Sequence, residues 1–119
     1  MNESFDEQRF MALLSLAGPV TGLELAMRLD EDLSGLATAL TKAALGPDRH
    51  KLREQSHVLL AIAGTVGANQ LFVLADRLNR QVRAQDATPL SDLLAEIGVL
   101  LDHLIHRVRS ARANLAAMP

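Results

Sequence analysis

The stretch LSDLLAEIGVLLDHLIHRVRSARANL, residues 90–115, decides the fold. Its apolar residues Leu90, Leu94, Ile97, Leu101, Leu104, Val108, Ala111 and Leu115 recur at alternating steps of four and three. That spacing lays one buried stripe along a helix of 3.6 residues per turn. Leu93, Leu100 and Ile105 widen the stripe beyond a narrow coiled-coil seam, so the helix is expected to face several neighbours at once. Asp92 near its start and Arg107, Arg109 and Arg112 near its end complement the helix dipole.

Working back from this helix, Thr88-Pro89 offers a cap followed by proline at the first helical position. A fourth helix is expected from about Ala68 to Gln85, with Leu71, Leu74 or Ala75, Leu78 and Val82 on one side. A third runs from an Asp48 cap to about Val66. In the second, Ala26, Leu29, Leu33, Leu36, Leu40 and Ala43 form the buried stripe. Thr21-Gly22-Leu23-Glu24 has the capping pattern for its start, and Gly46-Pro47 ends it, the glycine suited to a left-handed cap. A capping box, Ser4-Phe5-Asp6-Glu7, opens a short first helix with Phe10, Leu13, Leu14 and Ala17 inward, stopping at Gly18-Pro19. Short connections force neighbouring helices antiparallel. The expectation is therefore all-α: an up-down-up-down antiparallel four-helix bundle with a short N-terminal helix, one domain over residues 1–119.

Composition agrees with that class and removes others. The 119 residues are 49% hydrophobic, with three Phe, no Trp and no Tyr, and the apolar set is mostly Leu and Ala, which favours helices over strands. Absence of cysteine excludes disulfides, thiol nucleophiles and cysteine-held metal centres. The net charge of −2 hides an asymmetry, −5 over residues 1–48 and +3 over residues 49–119. A nucleic-acid module would show a stronger basic excess and stacking aromatics, so no nucleic-acid partner is expected. Val58 to Ala75 carries no formal charge, but Gly64, Thr65, Gly67, Asn69 and Gln70 interrupt it where hydrocarbon would leave amides unpaired. With an acidic start in place of a basic leader, the reading is a cytoplasmic protein with no membrane segment.

The third helix has an anomalous outer face. At about 100° per residue, Leu52, Leu59, Ile62, Ala63 and Val66 cluster as its core stripe, and His57 falls roughly 140–180° from most of them. A histidine there reaches water. Arg53, Leu60, Ala61 and Gly64 surround it; a solvated face would carry Lys, Glu or Gln instead. Small residues beside an outward histidine mark a docking surface that lets a partner come close. Imidazole ionises near neutrality, so an unprotonated ring nitrogen is available to attack phosphorus. Phosphoryl transfer also needs in-line positioning and charge neutralisation, and here a partner would bring the metal and lysine.

The segment Ser56-His57-Val58-Leu59-Leu60-Ala61-Ile62-Ala63-Gly64-Thr65-Val66-Gly67-Ala68-Asn69-Gln70-Leu71 resembles the signature of histidine-containing phosphotransfer (HPt) domains. The matching positions are His57, Leu59, Ala63, Gly64, Gly67, Ala68 and Leu71, while Leu60 and Ala61 stand where the family usually carries Lys and Gly. The resemblance implies a phosphorelay intermediate, a phosphocarrier with no kinase activity or cofactor of its own. His57 would accept a phosphoryl group from a receiver-domain aspartate and pass it to another receiver. Arg53, Leu60, Ala61 and Gly64 would be the docking residues, on a surface formed by the second and third helices. Implied partners are response-regulator receivers, which would hold Mg, and a hybrid histidine kinase; the chain itself is expected to be monomeric. Two other readings fit the same residues: a phosphotransfer-inactive module of this fold that sequesters a response regulator, and a structural bundle that dimerises through its last helix.

The remaining polar clusters read as solvated surface. His103 and His106 are three apart on the last helix with no third metal ligand in view, and Arg77, Arg80 and Arg83 lie off the fourth helix's core stripe. Asp30-Glu31-Asp32 is expected to face solvent with one residue turned toward the boundary. Gly64-Thr65-Val66-Gly67 lacks the Gly-Lys-Ser/Thr ending of a phosphate-cradling loop.

Overall fold

A computed structural model describes residues 5–16, 18–46, 48–84 and 89–118. These residues form five helices and no strand: α1 (Glu7–Ser15), α2 (Pro19–Leu45), α3 (Arg49–Val66), α4 (Asn69–Arg83) and α5 (Ser91–Ala116). The all-α expectation therefore holds. Among the described residues, no helix is long and apolar enough to cross a membrane.

Several helix boundaries differ from those expected, each for a local reason. Asp6 is the N-cap of α1, its carboxylate accepting the Arg9 N–H at 3.0 Å, so Glu7 is the first helical residue rather than the far end of a capping box. Ser4, Ala17, Pro47 and Thr88, which the sequence assigns to caps, an inward position and a helix stop, lie outside the described residues. The first helix ends at Ser15, ahead of Gly18-Pro19, and Pro19 also starts α2: it occupies the first position behind Gly18, where its missing N–H costs nothing. Gly22, placed in a cap by the sequence pattern, is instead buried in the second turn. There a methyl group would stand 2.3 Å from the Leu14 carbonyl oxygen, so glycine is what lets α1 and α2 meet. Gly46 closes α2 at φ −117° rather than in the left-handed region. At α5 the N-cap is Leu90, with no side-chain cap, and Pro89 precedes the helix. The Asp48 cap of α3 is present as expected, accepting from the Lys51 N–H at 3.0 Å.

The helices pair as α3 with α4 and α2 with α5; α2–α3 and α4–α5 contacts join the pairs, and α1 lies on α2 and α3. Both pairs run antiparallel. Arg49 at the start of α3 reaches the Gln81 and Val82 carbonyls at the end of α4, and Gly64 near the end of α3 faces Phe72 near the start of α4. Likewise Gly22 approaches Leu115, while Asp30 meets Arg109 and Arg112. Phe10, Leu33, Leu59, Leu78, Ile97, Leu101 and Val108 are all but fully buried in one core.

Asp30 is the boundary residue of its acidic run. Nearly buried, it accepts from Arg109 Nε at 3.0 Å, Arg112 Nη1 at 3.2 Å and Ser34 Oγ at 3.1 Å. Burial pushes its carboxyl up, but the hydrogen bonds from Arg109, Ser34 and Arg112 and the Arg109 charge outweigh it, leaving Asp30 below the usual carboxylate range. A carboxyl depressed in the folded state stabilises the fold above its unfolded pKa, and that stabilisation is lost as pH falls through the folded value. Asp30→Asn is accordingly expected to lower unfolding free energy by about 1–2 kcal/mol at pH 7. In urea unfolding series at stepped pH, the gap to wild type should close below about pH 4, where the unfolded carboxyl takes up its proton.

Candidate functional site

His57 is the ninth of the 18 residues of α3, and its side chain is exposed. Its neighbour Ser56 points the other way and is fully buried. Ser56 Oγ donates to the Arg53 carbonyl at 2.9 Å and accepts from Asn79 Nδ2 of α4 at 3.0 Å. Asn79 is itself buried, so this polar contact fixes the register of α3 against α4 one residue from the histidine.

The imidazole stands between two shallow depressions. Arg9, Leu60, Ala61, Gly64, Thr65 and Phe72 line the first with it. Its floor is low because a methyl group at Gly64 would already touch the Phe72 ring at 3.4 Å. Phe72 is 41% exposed, which leaves an apolar wall facing outward. His50, Arg53, Glu54, Val58, Asn79 and Arg83 line the second depression with His57. Its single acid, Glu54, is engaged by His50 at 3.3 Å and Lys51 at 3.7 Å. By contrast, Arg9, Arg53 and Arg83 have no carboxylate partner among the described residues, so the field around His57 is cationic.

The turn after α3 brings Arg9 into this site. Gly67 adopts φ 80°, the left-handed conformation that reverses the chain into α4. Its carbonyl accepts the Asp6 N–H at 2.8 Å, seating the start of α1 on the turn. A methyl group at Gly67 would lie 3.0 Å from Asp6 Cβ and 3.3 Å from Arg9 Cδ. The Arg9 stem therefore crosses the glycine closely.

Of the residues singled out from the sequence, Arg53, His57 and Ala61 are exposed and Leu60 and Gly64 half-buried. All five line the two depressions. The side chains lining these two depressions come from α1, α3 and α4, and none comes from α2, the helix expected to flank α3 in the docking surface. Arg9, Phe72 and Asn79 were not signalled by the sequence, because each lies on another helix and no local pattern ties it to His57. Arg83 belonged to an arginine run read as solvated; Arg80 of that run pairs with Asp76 at 3.0 Å, while Arg83 lines the site. His103 and His106 are exposed on α5, and among the described residues no three His, Asp or Glu side chains converge as a metal site.

A larger cleft of about 650 Å³ opens between α2 and α5, floored by Leu40, Leu52, Ile97 and Leu101. Its walls are mainly aliphatic, and Arg49 at its edge is held by the α4 carbonyls, so reactive groups concentrate at His57 rather than here. Comparison of the chain with protein-family models, curated proteins and solved structures finds no match in any of the three.

Removing the buttress has a defined consequence. Asn79→Ala leaves a buried acceptor at Ser56 Oγ and should cost about 1–2 kcal/mol. The melting temperature should fall by roughly 5 °C in a calorimetric scan. An unchanged midpoint would show that the Ser56–Asn79 contact does not hold α3 in place.

Proposed function

We propose that the chain is a cytoplasmic histidine phosphocarrier of the HPt kind, an up-down-up-down four-helix bundle formed by α2 to α5 with α1 across one end. The observation that carries the reading is the setting of His57: exposed midway along α3, beside the small residues Ala61 and Gly64, among arginines that have no carboxylate partner among the described residues. An imidazole nitrogen that must attack a phosphorus held by another protein needs a flat, open approach, and small neighbours supply it. The unprotonated nitrogen would form the N–P bond as the P–O bond of a receiver's aspartyl phosphate breaks, and the aspartate leaves as a carboxylate. The receiver's own magnesium ion would neutralise charge on the transferring group. Leu60, Ala61 and Gly64 would make the apolar contact and Arg53 would face the partner's acids.

One observation favours a second reading. Leu60 and the Ala61 methyl enlarge the apolar contact without adding charge, which suits a module that holds a receiver without exchanging phosphate. The dimerising reading has less apolar surface to draw on: Leu101, Leu104, Val108 and Ala111 of the α5 stripe are buried within the chain, and Leu90, Leu94 and Leu115 are half-buried.

The test is a transfer assay with phosphorylated receiver domains from the same organism, read by intact mass at neutral pH. One added phosphate is expected, absent in His57→Gln and chased onto a second receiver. A receiver complex without any adduct would favour the sequestering module, and a persistent adduct on His57→Gln would remove His57 from its role.

A further inference from the structure

Arg9 belongs to a nine-residue helix that contributes two buried side chains, Phe10 and Leu14, to the core. Its N-cap and its contacts with the Gly67 turn and with α5 define where that helix starts and sits. Asp6 N–H bonds the Gly67 carbonyl, the Asp6 carboxylate caps the helix through the Arg9 N–H, and the Arg107 guanidinium lies 5.0 Å over the Phe10 ring while pairing with Glu7. Glu7 thus spends its charge on Arg107, whereas Arg9 has no carboxylate partner among the described residues. The stem of Arg9 crosses Gly67, and the side chain lines the same depression as His57, Ala61 and Gly64. Among the described residues, then, no ion pair of the fold accounts for where the exposed guanidinium of Arg9 is placed.

We infer that Arg9 is a phosphoryl-binding residue, a guanidinium supplied from α1 that engages the oxygens of the group transferred to His57. The inference rests on the phosphocarrier reading and extends it to a helix outside the α3–α4 pair. A transferring phosphoryl group carries negative charge on three oxygens that must be met where it develops, and a planar guanidinium meets two of them at once. The apolar side of the depression, Leu60 and Phe72, offers no such donor. Arg53 and Arg83 line the other side of His57, so cations flank the imidazole on both sides.

Phosphoramidate, a small donor that needs no receiver, isolates this contribution. The unprotonated His57 nitrogen attacks phosphorus, the P–N bond of the donor breaks, and ammonia leaves; charge and atoms balance without a co-reactant. Labelling would be followed by intact mass against donor concentration for wild type, Arg9→Gln, Arg9→Lys, His57→Gln and Arg28→Gln. Arg28 lies on α2 and pairs with Asp32, away from both depressions. The expected result is a second-order labelling rate about tenfold lower in Arg9→Gln, largely recovered in Arg9→Lys and unchanged in Arg28→Gln, with melting temperatures alike. Inorganic phosphate should slow the wild-type reaction and protect Arg9→Gln far less, an effect that a purely structural role for Arg9 would not produce. Arg9→Gln labelled at the wild-type rate, or Arg28→Gln slowed equally, overturns the inference and leaves the phosphocarrier reading standing. Wild type that stays unlabelled, or a label that persists on His57→Gln, overturns that reading and this inference with it.

Discussion

The left-handed turn at Gly67 is the constraint on which the site depends. It reverses α3 into α4 with Ala68 alone between Gly67 and the next helix, so the two helices must lie side by side from their first turns. It also presents its carbonyl to Asp6, and the absence of a side chain leaves room for the start of α1 to settle against the turn. One residue thus aligns three helices, and those three are the ones that surround His57. The Ser56–Asn79 contact then sets how α3 is rotated, because burying the serine turns its neighbour outward. Exposure of the histidine is a built feature of that alignment rather than a default of the surface.

Electrostatics divides the molecule in the same way. The acidic first half and basic second half meet along α5, where Arg107 binds Glu7 and Arg109 and Arg112 bind Asp30. These arginines are engaged by the fold, and the acids that would otherwise repel an anion are engaged with them. Around His57, by contrast, Arg9, Arg53 and Arg83 have no carboxylate partner among the described residues. A net charge of −2 is therefore compatible with a local cationic field, and it is the local field that an approaching phosphoryl group or acidic partner meets.

The helical class, the α5 stripe and the outward direction of His57 were legible in the sequence because each depends on a period of 3.6 within a single helix. So were Leu60, Ala61 and Gly64, which share a helix with the histidine. Partners from other helices were not. Arg9 lies 48 positions before His57, and only the folded turn at Gly67 brings them to one depression. Ser56 was passed over because a polar residue on an inward face gives no hydrophobic signal, although a buried serine needs a partner and finds one in Asn79. The resemblance implied a surface of the second and third helices, whereas the side chains that line the depressions beside His57 come from α1, α3 and α4. The early start of α2 went unread for a different reason: Gly-Pro reads only as the stop of the first helix, and here it also starts the second.

The α2–α5 pairing also bears on how the chain assembles. The contact between Ser56 and Asn79 closes a loop of 23 residues, whereas that between Asp30 and Arg109 closes one of 79. Loop entropy grows only with the logarithm of length, so the longer closure costs about 1.1 kcal/mol more than the shorter. The α3–α4 hairpin, with its local contacts, therefore closes at less entropic expense than the α2–α5 pair. Two arginines converging on one carboxylate offset a penalty of that size, so the Asp30 cluster serves as a clasp between two helices distant in sequence.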